Sequence, residues 1–214
     1  MTQIIPAIIA QNLEEIREKI KLVEPYVDWV QLDVLDGIFA PSKTFNNPLE
    51  LKNLQTDIKI EAHLMIDQPE LVIDEWILSG VKRILIHYES TQHLDKVIDK
   101  IKAAGLEVGV VLKMATPIIV IDNLINKLDV IQLMGIAEIG YYGHSFDEQV
   151  LEKISALRKK YPHVIIEIDG GINLVTAQKV IERGAQSLVV GSYLFQGGQI
   201  KERIDLLRNL FVLH

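Results

Sequence analysis

Eight short apolar runs alternate with charged segments along the whole chain, and this alternation limits the possible folds more than any other feature. We predict strands at Ile4–Ala10, Trp29–Val34, Ile58–His63, Arg83–His87, Glu107–Leu112, Val130–Met134, Val164–Ile168 and Ser187–Val190. The runs are rich in Val and Ile and apolar on both faces, which is typical of buried parallel strands. Eight strand–helix units predict an α/β fold, a (β/α)8 TIM barrel formed by residues 1–214 as a single domain.

The segments between the runs contain helix signals. We predict helices at Leu13–Val23, Leu94–Ala104, Glu148–Lys160 and Ala177–Arg183, with a short one at Tyr193–Phe195. Pro69 and Pro117 suit the first turns of the third and fifth helices, and Asn173 suits the cap of the seventh. A doubly wound open sheet is the alternative, but that fold favours a glycine-rich turn after its first strand. Here Ala10-Gln11-Asn12-Leu13 follows the first strand, and the glycines cluster late.

Composition excludes several classes of protein. Apolar residues make up 49% of the 214 positions and charged residues 24%, as in an ordinary globular protein. The net charge of -7 argues against broad binding of nucleic acid or acidic membranes. The chain has no cysteine, which excludes disulfides and thiolate chemistry. Its first ten residues lack the basic start of a signal peptide and are too short to span a bilayer. We therefore expect a cytoplasmic protein with neither nucleic acid nor membrane as partner.

Polar residues recur at the ends of the predicted strands. Residues two apart on a strand share a face, which groups Gln31 with Asp33, Glu61 with His63 and Met65, His87 with Glu89, Gln132 with Met134, and Glu167 with Asp169. In such barrels the chemistry lies at the carboxyl ends of the strands. Alone, a strand-end Asp is more often a helix cap and a lone His a packed residue. Asp33, His63 and Asp169 together favour one site for proton transfer.

The deeper and outer polar residues have simpler interpretations. Glu61 and Glu167 lie one layer below the site and are interpreted as structural hydrogen-bond partners. His87 and Glu89 are interpreted as a buried polar pair rather than as support for the site. We expect His93, His163 and His214 at the surface.

Two glycine turns predict a phosphate site. Asp169-Gly170-Gly171 ends the seventh predicted strand and Val190-Gly191-Ser192 ends the eighth. The loops at these two positions often bind phosphate in this architecture, and glycine lets the backbone approach an anion closely. Two tight turns without function are the alternative. The segment from Gly140 to His144 could close over the same group.

Eight segments resemble the ribulose-phosphate 3-epimerase family almost from end to end. They are PAIIA, WVQLDVLDGIFAP, EAHLM, HYE, the triplet Ala115-Thr116-Pro117, GYYGHSF, EIDGGIN and VVGSYLF. The resemblance implies a (β/α)8 barrel that interconverts ribulose 5-phosphate and xylulose 5-phosphate, or a close analogue, at C3. It implies Asp33 and Asp169 as acid and base, and Gln31, Asp33, His63 and Asp169 as ligands of a divalent metal (Zn, Mn, Fe or Mg). The implied substrate contacts are His63, Met65, Met134, Gly143, Gly170, Gly171, Gly191 and Ser192. A homo-oligomer and a phosphorylated ketose substrate are also implied.

Departures from the family pattern fall at the site itself. Gln31 stands where the family has a metal-binding His, and a Gln oxygen is a poorer zinc ligand than imidazole. We therefore expect a metal that is weakly held or absent. Ala7 replaces a serine that contacts substrate, and Lys113-Met114 replaces Asn-Pro.

Three interpretations remain open at this point. The first is an epimerase with an altered metal site or substrate. The second is a different sugar-phosphate enzyme on the same barrel, with Lys113 as a Schiff-base residue. The third is a catalytically impaired sugar-phosphate-binding homologue. The first is favoured because a binding protein has no need of two carboxylates and an imidazole.

Overall fold

The computed structural model describes residues 3–140 and 145–212, and they form a closed barrel of eight parallel strands in sequence order. The strands are β1 (Gln3–Ile8), β2 (Trp29–Leu35), β3 (Lys59–Met65), β4 (Arg83–His87), β5 (Glu107–Leu112), β6 (Val130–Met134), β7 (Ile165–Asp169) and β8 (Ser187–Val190). Pairing of Gln3 with Ser187 closes the ring between the first and last strands. The predicted (β/α)8 fold is confirmed.

Helices follow the strands around the outside. They are α1 (Leu13–Val23), α2 (Ile73–Leu78), α3 (Leu94–Ala103), α4 (Val150–Lys160), α5 (Leu174–Glu182), α6 (Ser192–Phe195) and α7 (Ile200–Val212). Turns of 3-10 helix lie at Pro48–Asn53, Pro69–Leu71, Tyr88–Ser90, Ile118–Ile121 and Ile125–Lys127. Within the two described ranges, no helix is both long and apolar enough to cross a membrane.

Four strands have the predicted bounds and four are shifted by one or two residues. The first strand was predicted to reach Ala10 but ends at Ile8. Its pairing with β2 includes only Ala7 with Gln31 and Ile8 with Leu32. Ala10 leaves the sheet, and its carbonyl accepts a hydrogen bond from the Phe45 N–H at 2.7 Å. Hydrophobicity could not show this, because Ala10 is buried in the loop as fully as a strand residue would be.

The predicted helix Leu13–Val23 has the bounds seen in the structure, and the helices now given as Leu94–Ala103, Val150–Lys160 and Ser192–Phe195 differ from prediction by one or two residues at one end. Two other helix predictions were wrong by more than that. Helix α5 begins at Leu174 instead of Ala177, because Asn173 caps it through a capping box with Thr176. The predicted fifth helix is not an α-helix. Pro117 instead precedes the 3-10 turn Ile118–Ile121, and a second 3-10 turn follows. Pro69 begins its helical turn as predicted.

The barrel interior is layered, and its lower layer is charged. Arg83 donates to Glu61 at 2.6 Å from Nη1 and to Glu107 at 2.8 Å from Nε. Glu167 accepts a hydrogen bond from Ser187 at 2.7 Å. The Arg83 guanidinium also lies 4.3 Å from the ring centre of Trp29. Glu61 and Glu167 thus have structural partners below the mouth, as predicted.

Candidate active site

The strand register brings the predicted carboxylates and imidazole to one point at the carboxyl end of the barrel. Asp33 on β2 lies directly beside His63 on β3, and Asp169 ends β7. His63 Nδ1 lies 3.1 Å from Asp33 Oδ1 and 3.2 Å from Asp169 Oδ2. His63 is fully buried, whereas the side chains of Asp33 and Asp169 keep 8% and 13% of their exposure. Both carboxylates can therefore reach a molecule in the mouth.

Gln31 turns its amide nitrogen toward this group. Nε2 lies 2.6 Å from Asp33 Oδ1 and 2.8 Å from Asp169 Oδ2. Both contacts require a donor, since ionised carboxylates only accept. The nitrogen also lies 3.1 Å from His63 Nδ1.

The other end of the Gln31 amide is held from across the barrel. Gln132 Nε2 on β6 donates to Gln31 Oε1 at 2.6 Å and to Glu167 Oε1 at 3.0 Å. Gln31, Gln132 and Glu167 are all fully buried. The sequence placed Gln132 on the inward face, two residues before Met134, but no motif marked it as a site residue.

His87 supports His63, which corrects the prediction that His87 and Glu89 form a separate polar pair. His87 Nε2 lies 2.9 Å from His63 Nε2, and His87 Nδ1 lies 3.4 Å from Glu89 Oε2. Burial alone would lower the pKa of His63, but its hydrogen bonds to Asp169 and Asp33 raise that pKa to about 10. Burial and the charge on His63 lower the pKa of His87 to about 4. These opposite shifts fit a hydrogen bond in which the His63 Nε2–H donates to His87 Nε2.

Burial also acts on the catalytic candidate Asp33. Removal from water raises its pKa, the charge of Asp169 adds to the rise, and the hydrogen bond from His63 opposes it. A carboxyl group with a raised pKa holds a proton more readily than an exposed aspartate, which suits a group that must both accept and give protons.

The glycine turns form one wall of the cavity above the carboxylates. Gly170, Gly171, Gly191 and Ser192 line it together with Asp33 and Asp169. The Gly171 carbonyl accepts from Thr176 Oγ1 at 2.9 Å. The Gly191 carbonyl accepts from the Leu194 and Phe195 N–H groups at 3.0 and 3.2 Å. Because these two carbonyl oxygens are engaged by hydrogen bonds outside the wall, they are directed away from an anion.

Apolar side chains line the rest of the cavity. Met65 and Met134 line the cavity and are both nearly fully buried. Ala7, Ile9, Ile136 and Ile172 line it as well. The last three were not predicted as site residues, because an apolar residue beyond a strand end has no distinguishing sequence signal. Gly143, a predicted substrate contact, lies outside the described residues, as does His144.

Lys113 is placed differently from a Schiff-base residue. Its ammonium nitrogen lies 3.8 Å from the ring centre of Phe39, and the Phe39 ring in turn packs against His87 with ring centres 4.8 Å apart. Lys113 is not among the residues that line the cavity. This contact with an aromatic ring holds the Lys113 side chain against Phe39.

The Asp–His–Asp group fits a divalent cation. Asp33, His63 and Asp169 each offer one ligand atom, and these three atoms lie within 4.8 Å of one another. Two ligands at right angles on an ion about 2.1 Å away stand about 3 Å apart, close to the two spacings from His63. Gln31, the fourth predicted ligand, presents a nitrogen that donates and has no lone pair to offer. The fold and site thus define a (β/α)8-barrel protein with a three-residue centre that could hold a metal ion.

Comparisons with known proteins agree with the geometry. The model of the ribulose-phosphate 3 epimerase family matches residues 3–195, and the chain belongs to this family. The chloroplastic ribulose-5-phosphate-3-epimerase of Arabidopsis thaliana is 38% identical over 208 residues, which cover 93% of this chain and 73% of that protein. The ribulose-phosphate 3-epimerase of Bacillus subtilis is 34% identical over 216 residues, covering 97% and 99%.

Two solved structures share the fold at low sequence identity. 3-Hexulose-6-phosphate synthase from Salmonella typhimurium superposes with a TM-score of 0.75 at 15% identity, covering 99% of each chain. A mutant tryptophan synthase α-subunit from Pyrococcus furiosus gives 0.73 at 15% identity, covering 98% of this chain and all of that one. At such identities the likeness concerns the barrel alone.

Proposed function

We propose that this protein is a ketose-phosphate 3-epimerase that interconverts ribulose 5-phosphate and xylulose 5-phosphate. One observation carries the proposal: two carboxylates, Asp33 and Asp169, open onto one cavity whose wall is built from the glycine turns. Family membership and relatives named as ribulose-phosphate 3-epimerases support the same reaction.

The chemistry requires both carboxylates. Inversion at C3 removes the proton next to the ketone and returns a proton to the opposite face of the same carbon. One aspartate accepts the first proton while the electron pair moves to the carbonyl oxygen, which gives an enediolate. The other aspartate, which enters the step in its protonated form, then donates that proton to C3. The first aspartate is left protonated, so the two exchange roles in the reverse direction. Met65 and Met134 fill the space beside the reacting carbons and keep water from it.

The glycine wall would bind the phosphate. Among the described residues that line the cavity, none is Lys or Arg, so we assign the phosphate to backbone N–H groups near Gly171, Gly191 and Ser192. Backbone dipoles can bind an anion in an acidic protein. Because the carbonyl oxygens of Gly171 and Gly191 accept hydrogen bonds from other groups, they repel a bound phosphate less than free carbonyls would.

Asp33, His63 and Asp169 would hold a divalent metal, which supplies positive charge to the enediolate when bound. His87 fixes the second nitrogen of His63 at 2.9 Å, an arrangement that orients a metal-binding imidazole. The identity of the metal, a cytoplasmic location and a homo-oligomeric assembly remain predictions.

Proton exchange tests the proposed reaction. The protein is incubated with ribulose 5-phosphate in deuterium oxide, and NMR follows deuterium at C3 and the formation of xylulose 5-phosphate. We expect both in the wild type. Asp169→Asn keeps the side-chain shape but removes the base, so epimerisation should fall by about 10²- to 10⁴-fold, with substrate binding largely kept.

Asp74→Asn is the matched control. Asp74 forms an exposed ion pair with Lys100 and is not among the residues that line the cavity, so this variant should react like the wild type. Absence of exchange in the wild type with any ketose phosphate would contradict the proposal. Epimerisation by Asp169→Asn at the wild-type rate would remove the role assigned to Asp169.

A further inference from the structure

The Gln31 amide nitrogen faces Asp33 and Asp169, at a position where a ligand of a cation would have to present a lone pair. This nitrogen lies 2.6, 2.8 and 3.1 Å from atoms of Asp33, Asp169 and His63. These separations resemble those between neighbouring ligands of one ion. A Gln side chain can bind a cation only through its oxygen, so the amide must turn over before it can act as a ligand.

A second amide opposes that rotation. Gln132 donates one proton to Gln31 Oε1 and the other to Glu167 Oε1. If the Gln31 amide turned over, its NH2 group would face the NH2 group of Gln132, and neither could accept. Rotation of Gln132 as well would place its oxygen against the Glu167 carboxylate, where it now has a hydrogen bond of 3.0 Å.

The side-chain oxygen of Gln132 has no partner among the described residues, which indicates that Gln31 Oε1 and Glu167 Oε1 set the orientation of the Gln132 amide. Gln132 Oε1 is buried and has no hydrogen-bond partner among the described residues. A buried polar atom without a partner destabilises the fold, so the present orientation persists because both protons of its NH2 group are used. Glu167 accepts a hydrogen bond from Ser187. A continuous chain of hydrogen bonds therefore runs from Ser187 through Glu167 and Gln132 to Gln31.

We propose that Gln132, held by Glu167, is a positioning residue that keeps the donor end of Gln31 toward Asp33 and Asp169. In this arrangement the amide, beside His63, donates to both carboxylates when no metal ion is bound, and it lowers the affinity of the centre for divalent metals. Because the Gln31 NH2 group stays turned toward the two carboxylates, the site is stable without a bound metal ion. This inference rests on the proposed function for the identity of the site, but it concerns metal affinity and not turnover.

Binding of Mn²⁺, followed by calorimetry and electron paramagnetic resonance, tests the proposal in four proteins. Gln132→Met removes the donor that holds Gln31 and keeps a side chain of similar length. Because partners of ligands change metal affinity by about 10- to 100-fold, we expect Mn²⁺ to bind this variant about 10-fold more tightly than the wild type. A merely structural role would predict equal or weaker binding.

Gln31→Glu is the sharper variant, because it exchanges one NH2 group for one oxygen. The Gln132 donor is still accepted, and an oxygen now stands at the ligand position. We expect tighter Mn²⁺ binding than in Gln132→Met, a lower Tm in EDTA than the wild type, and recovery of Tm with Mn²⁺. Gln55→Glu, at an exposed position, makes the same change of charge and should bind as the wild type does.

Wild-type affinity in a folded Gln132→Met variant would overturn the proposal, and so would wild-type binding of Mn²⁺ as tight as that of Gln31→Glu. If Gln132→Met does not fold, an NMR measurement on the wild-type protein tests the proposal instead. With ¹⁵N-labelled glutamine, saturation with Zn²⁺ should shift the side-chain NH2 signals of both Gln31 and Gln132, and unchanged signals would refute the coupling. All of these results can be negative while the C3 exchange assay is positive, so the two proposals can fail separately.

Discussion

Removal of Arg83 should damage the fold without touching Asp33 or Asp169, the two carboxylates proposed to be catalytic. Arg83 is 3% exposed and lies between Glu61 and Glu167, both fully buried, with Glu107 at the edge. Replacement by Met keeps most of the aliphatic volume but leaves two carboxyl groups in the barrel with no cation. Loss of one partner from a buried ion pair costs about 3–5 kcal/mol.

The expected change in Tm follows from that cost. In a domain of 150–250 residues, one kcal/mol corresponds to roughly 2–4 °C, so Arg83→Met should melt about 6–20 °C below the wild type. The loss should grow with pH. Burial already raises the pKa of Glu61 and of Glu167, and without Arg83 both rise further. The folded state then holds protons that the unfolded chain releases, so stability falls as pH rises above the ordinary glutamate range.

Urea unfolding of four proteins tests the reasoning. Glu107→Gln removes the partner whose side chain is 45% exposed and should cost below about 1 kcal/mol. The double variant Arg83→Met with Glu61→Met should recover part of the loss, because the unpaired carboxyl group is removed with its cation. A loss below about 1 kcal/mol in Arg83→Met, or a double variant less stable than Arg83→Met alone, would refute the argument.

Two further predictions concern the site. His63 has a pKa raised from 6.5 to about 10, so without divalent metal its contribution to stability should be complete below pH 6.5 and lost as pH approaches 10; the difference in unfolding free energy between wild type and His63→Asn in EDTA measures this, and a constant difference across that range would contradict it. Gly171→Ala should destabilise the protein and weaken sugar-phosphate binding more than Gly105→Ala does. Both glycines have positive φ, +70° and +78°, but a Cβ at Gly171 would lie 2.8 Å from Phe146 Cα, whereas one at Gly105 meets nothing within 4 Å. Equal unfolding free energies and equal phosphate affinities in the two variants would refute the role of that close approach.

The architecture could be predicted because each strand is buried on both faces. Arg83–His87 and Ser187–Val190, for example, stand out as short apolar runs between polar segments. The errors occur where burial and sheet pairing separate, as at Ala10, or where the apolar pattern starts later than the helix does. Asn173 is the cap that the sequence predicted, but the apolar pattern placed the first helical residue at Ala177 instead of Leu174. Neither the pairing partner nor the cap geometry can be read from apolar periodicity.

The site could be predicted in its carboxylates and imidazole, but not in how its amides are oriented. Asp33, His63 and Asp169 are marked by motifs at strand ends, and the register then brings them together. The direction of the Gln31 amide depends on Gln132, which is distant in sequence and lies on the far side of the barrel. An amide has a donor and an acceptor at one end, so its role depends on neighbours that only the fold specifies.

The hydrogen bond between Gln132 and Gln31 makes two positions, 101 residues apart in the chain, into one unit of design. To build this arrangement into another barrel, both glutamines must be introduced together. The carboxylate of Glu167, which orients Gln132, must be introduced with them. A mutational search that varies one position at a time tests each substitution while the other glutamine still favours the present amide orientation. A library that varies positions 31 and 132 jointly samples combinations that such single-site searches leave out.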